Sequence, residues 1–95
     1  MITHVVSYKF SDSADAPEGA ARLRSMQGQI PSLLSLHCGY DSLGRDGAYD
    51  VVLVTEHEDE AGLQAYGDHP VHKEVQGWLL EHMVGRTVVD SDNFN

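Results

Sequence analysis

Residues 48–75, AYDVVLVTEHEDEAGLQAYGDHPVHKEV, decide the fold. Tyr49–His57 is a strand: Tyr49, Val51 and Leu53 fall on one face, Val52 and Val54 on the other. A strand that is apolar on both faces has to be covered on both. The acidic run that follows supplies a helix cap at Asp59 or a neighbour, and Ala61, Leu63, Ala65 and Tyr66 lie in the helix it opens. Pro70 ends that helix, because proline has no backbone donor and pushes the residue before it, His69, out of helical geometry. A further helix from Val71 to His82 presents Val75, Trp78, Leu79 and His82 on one stripe.

The remaining elements arrange themselves around this segment. Residues 2–10 alternate, with Ile2, His4, Val6, Tyr8 and Phe10 on one face, so they form a strand that carries a histidine in its apolar row. Asp12, Ser13 and Asp15 offer caps, and Pro17 with Glu18 fits the first turn of a helix. Leu23, Met26 and Ile30 continue that helix at helical spacing as far as Pro31. Leu33–Tyr40 contains a second strand, Asp41–Gly47 is a polar turn, and Gly85 leads into a last strand, Arg86–Asp90. The order is β-α-β-β-α-α-β, an α+β, ferredoxin-like plait with an antiparallel four-stranded sheet in one domain, residues 1–95. The chain's own helices cover one face of the sheet. The face of Val52 and Val54 needs a partner, and a second copy of the same sheet supplies it, giving a homodimer packed sheet to sheet.

Size and charge point the same way. A domain of 95 residues buries only about two-thirds of the surface its unfolded chain exposes, so dimerisation is a direct gain. Six Lys and Arg against fifteen Asp and Glu leave a net charge of −9, which disfavours nucleic acid and anionic membrane surfaces as partners. The single cysteine, Cys38, excludes an intrachain disulfide framework and reads as a small core residue. MITHVVSYKF is not a secretory leader, and no apolar window reaches the length of a membrane span, so a cytoplasmic location is expected.

The chemistry concentrates in Tyr66-x-x-His69-Pro-x-His72, with His4 as an outlying fourth member. Imidazole titrates near neutrality and phenol donates well to an oxyanion, a pairing suited to proton transfer at a carbonyl compound. Tyr66, His69, His72 and His4 are the candidates for one site in an otherwise apolar cavity. His69 and His72, near Asp68 and Glu74, are a weak metal pair: Pro70 disrupts the helix that would align them, and no third ligand has motif spacing. Neither metal nor organic cofactor is expected. Gly44–Gly47 lacks a Walker lysine and is a turn, and Val75, Trp78 and Leu79 read as core.

The opening His-x-Val-x-Tyr-Lys-Phe strand, Ile30-Pro31, Gly39, the Tyr-Asp-x-x-Leu strand from Tyr49, Glu58-Asp59 and the Tyr66–His72 cluster together resemble the stress-responsive dimeric α/β-barrel family. The likeness covers almost the whole chain and implies two sheets paired into a central barrel with helices outside. It also implies a function of the kind carried out by the family's plant polyketide cyclases, which close a polyketide by intramolecular aldol condensation without a cofactor. Their acid–base tyrosine and second cluster histidine correspond to Tyr66 and His72, which makes those two the expected catalytic pair, and their first-strand histidine corresponds to His4, expected with His69 on the substrate. Their third-strand histidine is replaced here by Val51, while His57 falls nearer the strand's end. The resemblance leaves two other functions open: a noncatalytic stress protein or small-molecule-binding dimer, and a cofactor-independent monooxygenase of the antibiotic-biosynthesis type.

Overall fold

The computed structural model describes residues 1–95. Four strands, β1 (Ile2–Phe10), β2 (Ser35–Tyr40), β3 (Val51–His57) and β4 (Met83–Ser91), form one antiparallel sheet in the order β2-β3-β1-β4. Three helices, α1 (Ala16–Arg24), α2 (Glu60–Asp68) and α3 (Pro70–His82), complete the β-α-β-β-α-α-β order and cover one face. The sheet contributes Val6, Tyr8, Phe10, Leu36, Val51 and Leu53 to the core, and the helices contribute Leu23, Tyr66, Val75 and Leu79.

Local chemistry accounts for most boundaries. Asp59 opens α2, its carboxylate accepting from the Gly62 N–H at 2.8 Å. Asp12 caps the short 3₁₀ turn before α1, and Arg22 and Arg24 complement the dipole at the far end of that helix. One expectation changes. The spacing of Leu23, Met26 and Ile30 predicts a helix as far as Pro31, yet α1 ends at Arg24. A run of turns follows in which Gly28 has φ 80°, a left-handed conformation that an α-helix does not pass through. Met26 and Ile30 are nonetheless fully packed, because the turns carry both side chains back to the core.

At the Lys9–Phe10 end of β1 the pairing with β4 shifts register. The Phe10 N–H there donates to the buried Asp50 carboxylate at 2.7 Å, and the Lys9 ammonium lies 3.7 Å from the same group. Asp50 therefore satisfies a donor beside the irregularity.

The uncovered face of the sheet is a row. The register aligns Val89, Val5, Val54 and His37 across all four strands, with Val52 beside Ser7 in the next row. Val52 and Val89 are 43% and 62% exposed, while Val51 and Leu53 on the opposite face are buried. The two-sided apolar pattern of β3 thus has one side packed and one open.

Candidate active site

Pro70 divides the helical hairpin at His69, which is extended, with φ −67° and ψ 138°, and serves both the end of α2 and the start of α3. The His69 Nδ1 accepts from the Val71 N–H at 3.1 Å, so this ring is a helix cap and does not line the cavity described below. Its sequence neighbour behaves differently. In the first turn of α3, His72 folds back on α2, and its Nδ1 lies 3.1 Å from the Gly67 carbonyl. A carbonyl only accepts, so Nδ1 carries the proton of the neutral ring and Nε2 keeps a free lone pair. Burial, the largest influence, holds the His72 pKa below its ordinary value. The Gly67 bond opposes that shift, and the charges of His4 and Arg86 add to it. His72 is thereby kept neutral, the form a general base requires.

Tyr66, in the last turn of α2, lies among three imidazoles. Its ring centroid is 4.6 Å from His72, 4.8 Å from His57 and 6.2 Å from His4. Its hydroxyl is fully buried and has no hydrogen-bond partner. Burial pushes the phenol pKa well above its ordinary value, so the group remains a donor. An orphaned buried hydroxyl is uncommon in a folded protein, and its usual explanation is a ligand or water that completes it.

His4 and His57 have opposite situations. The His57 Nδ1–H donates to the Ser32 carbonyl and its Nε2 accepts from the Thr55 hydroxyl, each at 2.9 Å. Both nitrogens are committed and the ring is fully buried, which makes it a structural tie between β3 and the loop after α1. The His4 Nδ1–H donates to Asp90 on the paired strand at 2.5 Å, leaving its Nε2 available. The carboxylate thus selects the tautomer.

These groups meet at a cavity of about 240 Å³, open to solvent on one side. His4, Tyr66, His72 and Arg86 line it, with Glu60, Leu63, Gln64 and Gly67 of α2. Three of the four residues singled out in the sequence therefore come together, and His69 does not. The cavity is not otherwise apolar as expected: Glu60, Gln64 and Arg86 share its walls with Leu63. A larger cleft of about 540 Å³ lies at the other end of β1, by Lys9, Asp41, Arg45 and Asp50. Its Lys9 and Asp50 are already engaged at the strand irregularity, and it contains none of the imidazoles. Val51, at the position of the plant cyclases' additional histidine, is packed in the core.

Asp90 and Arg86 escaped the sequence reading. Both lie on the inner face of β4, opposite His4 and Tyr8. Their spacing of four in a strand does put them on the same face. What it does not reveal is the pairing of β4 with β1, nearly the whole chain away. No three His, Cys, Asp or Glu side chains gather as a metal-binding group, so His69 and His72 gain no third ligand. No helix is long and apolar enough to cross a membrane.

A ferredoxin-like sheet with its helices on one face, its other face open and a His/Tyr cavity under the helical hairpin defines a class of small α+β barrel-forming domains. Within that class the chain belongs to the Stress responsive A/B Barrel Domain family, which it matches over residues 2–93. No curated protein sequence matches it. Among solved structures it is similar to a dimeric ferredoxin-like protein of unknown function from Thermobifida fusca, at 25% identity and a TM-score of 0.83 over 95% of this chain and 88% of that one. The fold alone is shared with an antibiotic biosynthesis monooxygenase, at 17% identity and a TM-score of 0.78 over 100% of both chains. It is also shared with the hydroxynitrile lyase of Passiflora edulis, at 14% identity and a TM-score of 0.78 over 99% of this chain and 96% of that one.

Proposed function

We propose that this domain is a cofactor-independent acid–base catalyst, a lyase or cyclase acting on a small carbonyl compound, and that it works as a homodimer. The observation that carries the proposal is the orphaned Tyr66 hydroxyl beside a neutral His72 at one cavity. In the reaction the His72 Nε2 takes a proton from the carbon alpha to the carbonyl. The C–H electron pair becomes the enolate, and Tyr66 donates to the oxygen where the negative charge collects. The enolate carbon then adds to a second carbonyl of the same molecule, and the imidazolium returns its proton to the new alkoxide. Run in reverse, the same transfers cleave an aldol. His4, oriented by Asp90, accepts a hydrogen bond from the substrate through its free Nε2.

The dimer rests on the open valine row of the sheet and on the dimeric state of the Thermobifida fusca protein. With one sheet from each copy packed face to face, the row would be buried and the His/Tyr cavities would stay on the outside, under the helices.

The direct test is proton exchange. Small methyl ketones in D₂O, with a chelator present, are followed by NMR for loss of the alpha-proton signal. A positioned base accelerates such a step by about 10²- to 10⁴-fold. The wild type should do so, and Tyr66→Phe and His72→Ala should each lose most of the acceleration. Saturable ketone binding with no exchange above buffer would instead support the small-molecule-binding dimer.

A further inference from the structure

We propose that Arg86 is a carboxylate-binding residue of this cavity, and that the substrate is a small anionic carbonyl compound of the oxo-acid type. The proposal rests on the acid–base reading of the same site and names its substrate class. Arg86 shares the cavity wall with His4, Tyr66 and His72. It is exposed and makes no ion pair, as is true of Arg24, Arg45 and Lys73; Lys9 pairs with Asp50 and Arg22 with Glu18. Arg24, another cation of the helical layer, gives two hydrogen bonds to the Cys38 carbonyl. Of the six Lys and Arg, Arg86 alone lines the His/Tyr cavity. Glu60 lines the same cavity and does not pair with it.

The surrounding charge sharpens the point. A protein of net charge −9 repels anions generally, so an anionic substrate enters only where a local cation reverses the field. The planar guanidinium fork matches a carboxylate in two parallel hydrogen bonds and stays charged at all working pH values. Size limits the substrate as well. The cavity is about 240 Å³, below the roughly 300–1,000 Å³ of sites that enclose drug-sized ligands. A short oxo acid is of a size to fill it. With its carboxylate on Arg86, such a molecule would present its ketone to Tyr66 and its alpha carbon to His72.

The test compares levulinate with 5-methylhexan-2-one, a neutral ketone of the same skeleton in which an isopropyl group replaces the carboxylate. Affinities come from chemical-shift titration of the histidine ring signals. Arg86→Gln should weaken levulinate binding by about tenfold or more, the scale of one charge-assisted hydrogen-bond pair, and leave the neutral ketone unchanged. Arg86→Lys should keep part of the charge preference, and added salt should weaken levulinate alone. The proposal is overturned if Arg86→Gln changes both ligands equally or neither, or if the wild type does not bind levulinate at millimolar concentration. Proton exchange in the same samples separates the two proposals: a charge preference lost in Arg86→Gln, with no exchange by the wild type, removes the acid–base reaction and leaves the anion site standing.

Discussion

Tyr66 has a hydroxyl that the fold buries and does not satisfy, and this single atom separates a catalytic from a structural reading. A side chain retained for stability would be better as phenylalanine, because an unpaired buried donor costs about 1–3 kcal/mol. Tyr66→Phe is therefore expected to raise the unfolding free energy by about 1 kcal/mol in urea titration while abolishing proton exchange. A loss of stability would mean that the hydroxyl already has a partner. His72 makes the complementary prediction through pH. Burial lowers its pKa, and that of His57, below the unfolded value of about 6.5. Above that pH the ring is neutral in both states and its contribution is level. As the pH falls below it, the unfolded chain takes up protons that the folded rings refuse, so stability declines until the folded pKa values are passed. Denaturation midpoints between pH 8 and 5 should fall on acidification, and His72→Gln should reduce the slope only in part, because His57 acts in the same direction. Catalysis should follow the same ring: the rate rises from acid pH with a midpoint below about 6.5 and stays level to beyond pH 9, since the Tyr66 phenol is held protonated.

The helical hairpin divides one sequence motif between a helix cap and the proposed base. His69 and His72 look equivalent in His69-Pro-x-His72, and the sequence placed both in one site, His72 as an acid–base group and His69 on the substrate. Pro70 makes them different. It holds His69 extended, and the imidazole there serves as an N-cap; His72, in the first turn beyond, is free to fold over Tyr66. His69→Ala should accordingly cost about 1 kcal/mol of stability, the usual value of an N-cap, with Asn at the same position recovering most of it. Ligand affinity measured by the same titration should be unchanged in both variants, and a tenfold loss would return His69 to the site. The strands were legible for a simpler reason: β3, and β1 from His4 onward, keep a period of two that burial follows, with His4 and Leu53 on the inner face and Val5 and Val54 on the outer. The end of α1 was not legible, because Met26 and Ile30 keep helical spacing through turns that are not a helix. Asp90 and Arg86 were hidden for another reason again. A strand pattern specifies which side chains share a face, whereas the partner strand and its register arise only when the sheet assembles.

At the scale of the molecule, the apolar outer row and the net charge oppose each other, and the dimer is where their balance is measured. Val89, Val5 and Val54 lie side by side across three adjacent strands, so pairing two copies would remove a contiguous valine stripe from water at roughly 25 cal/mol per Å² of apolar area. Against this, each copy carries a charge of −9, and two like charges of that size resist approach unless salt screens them. The proposed dimer should therefore tighten as ionic strength rises from about 0.01 to 0.15 M, over which the screening length shortens from about 30 to 8 Å. That is the opposite of an assembly held by ion pairs. Val54→Asp should put an unpaired carboxylate at the centre of the packed sheets and cost several kcal/mol of association. Because Val54 faces away from the chain's own core, the monomer should keep its far-ultraviolet circular dichroism and its levulinate binding. Sedimentation velocity at micromolar concentration decides the matter: the wild type should sediment as a dimer and Val54→Asp as a folded monomer. A monomeric wild type, or a Val54→Asp variant that still dimerises, would move the interface away from this face.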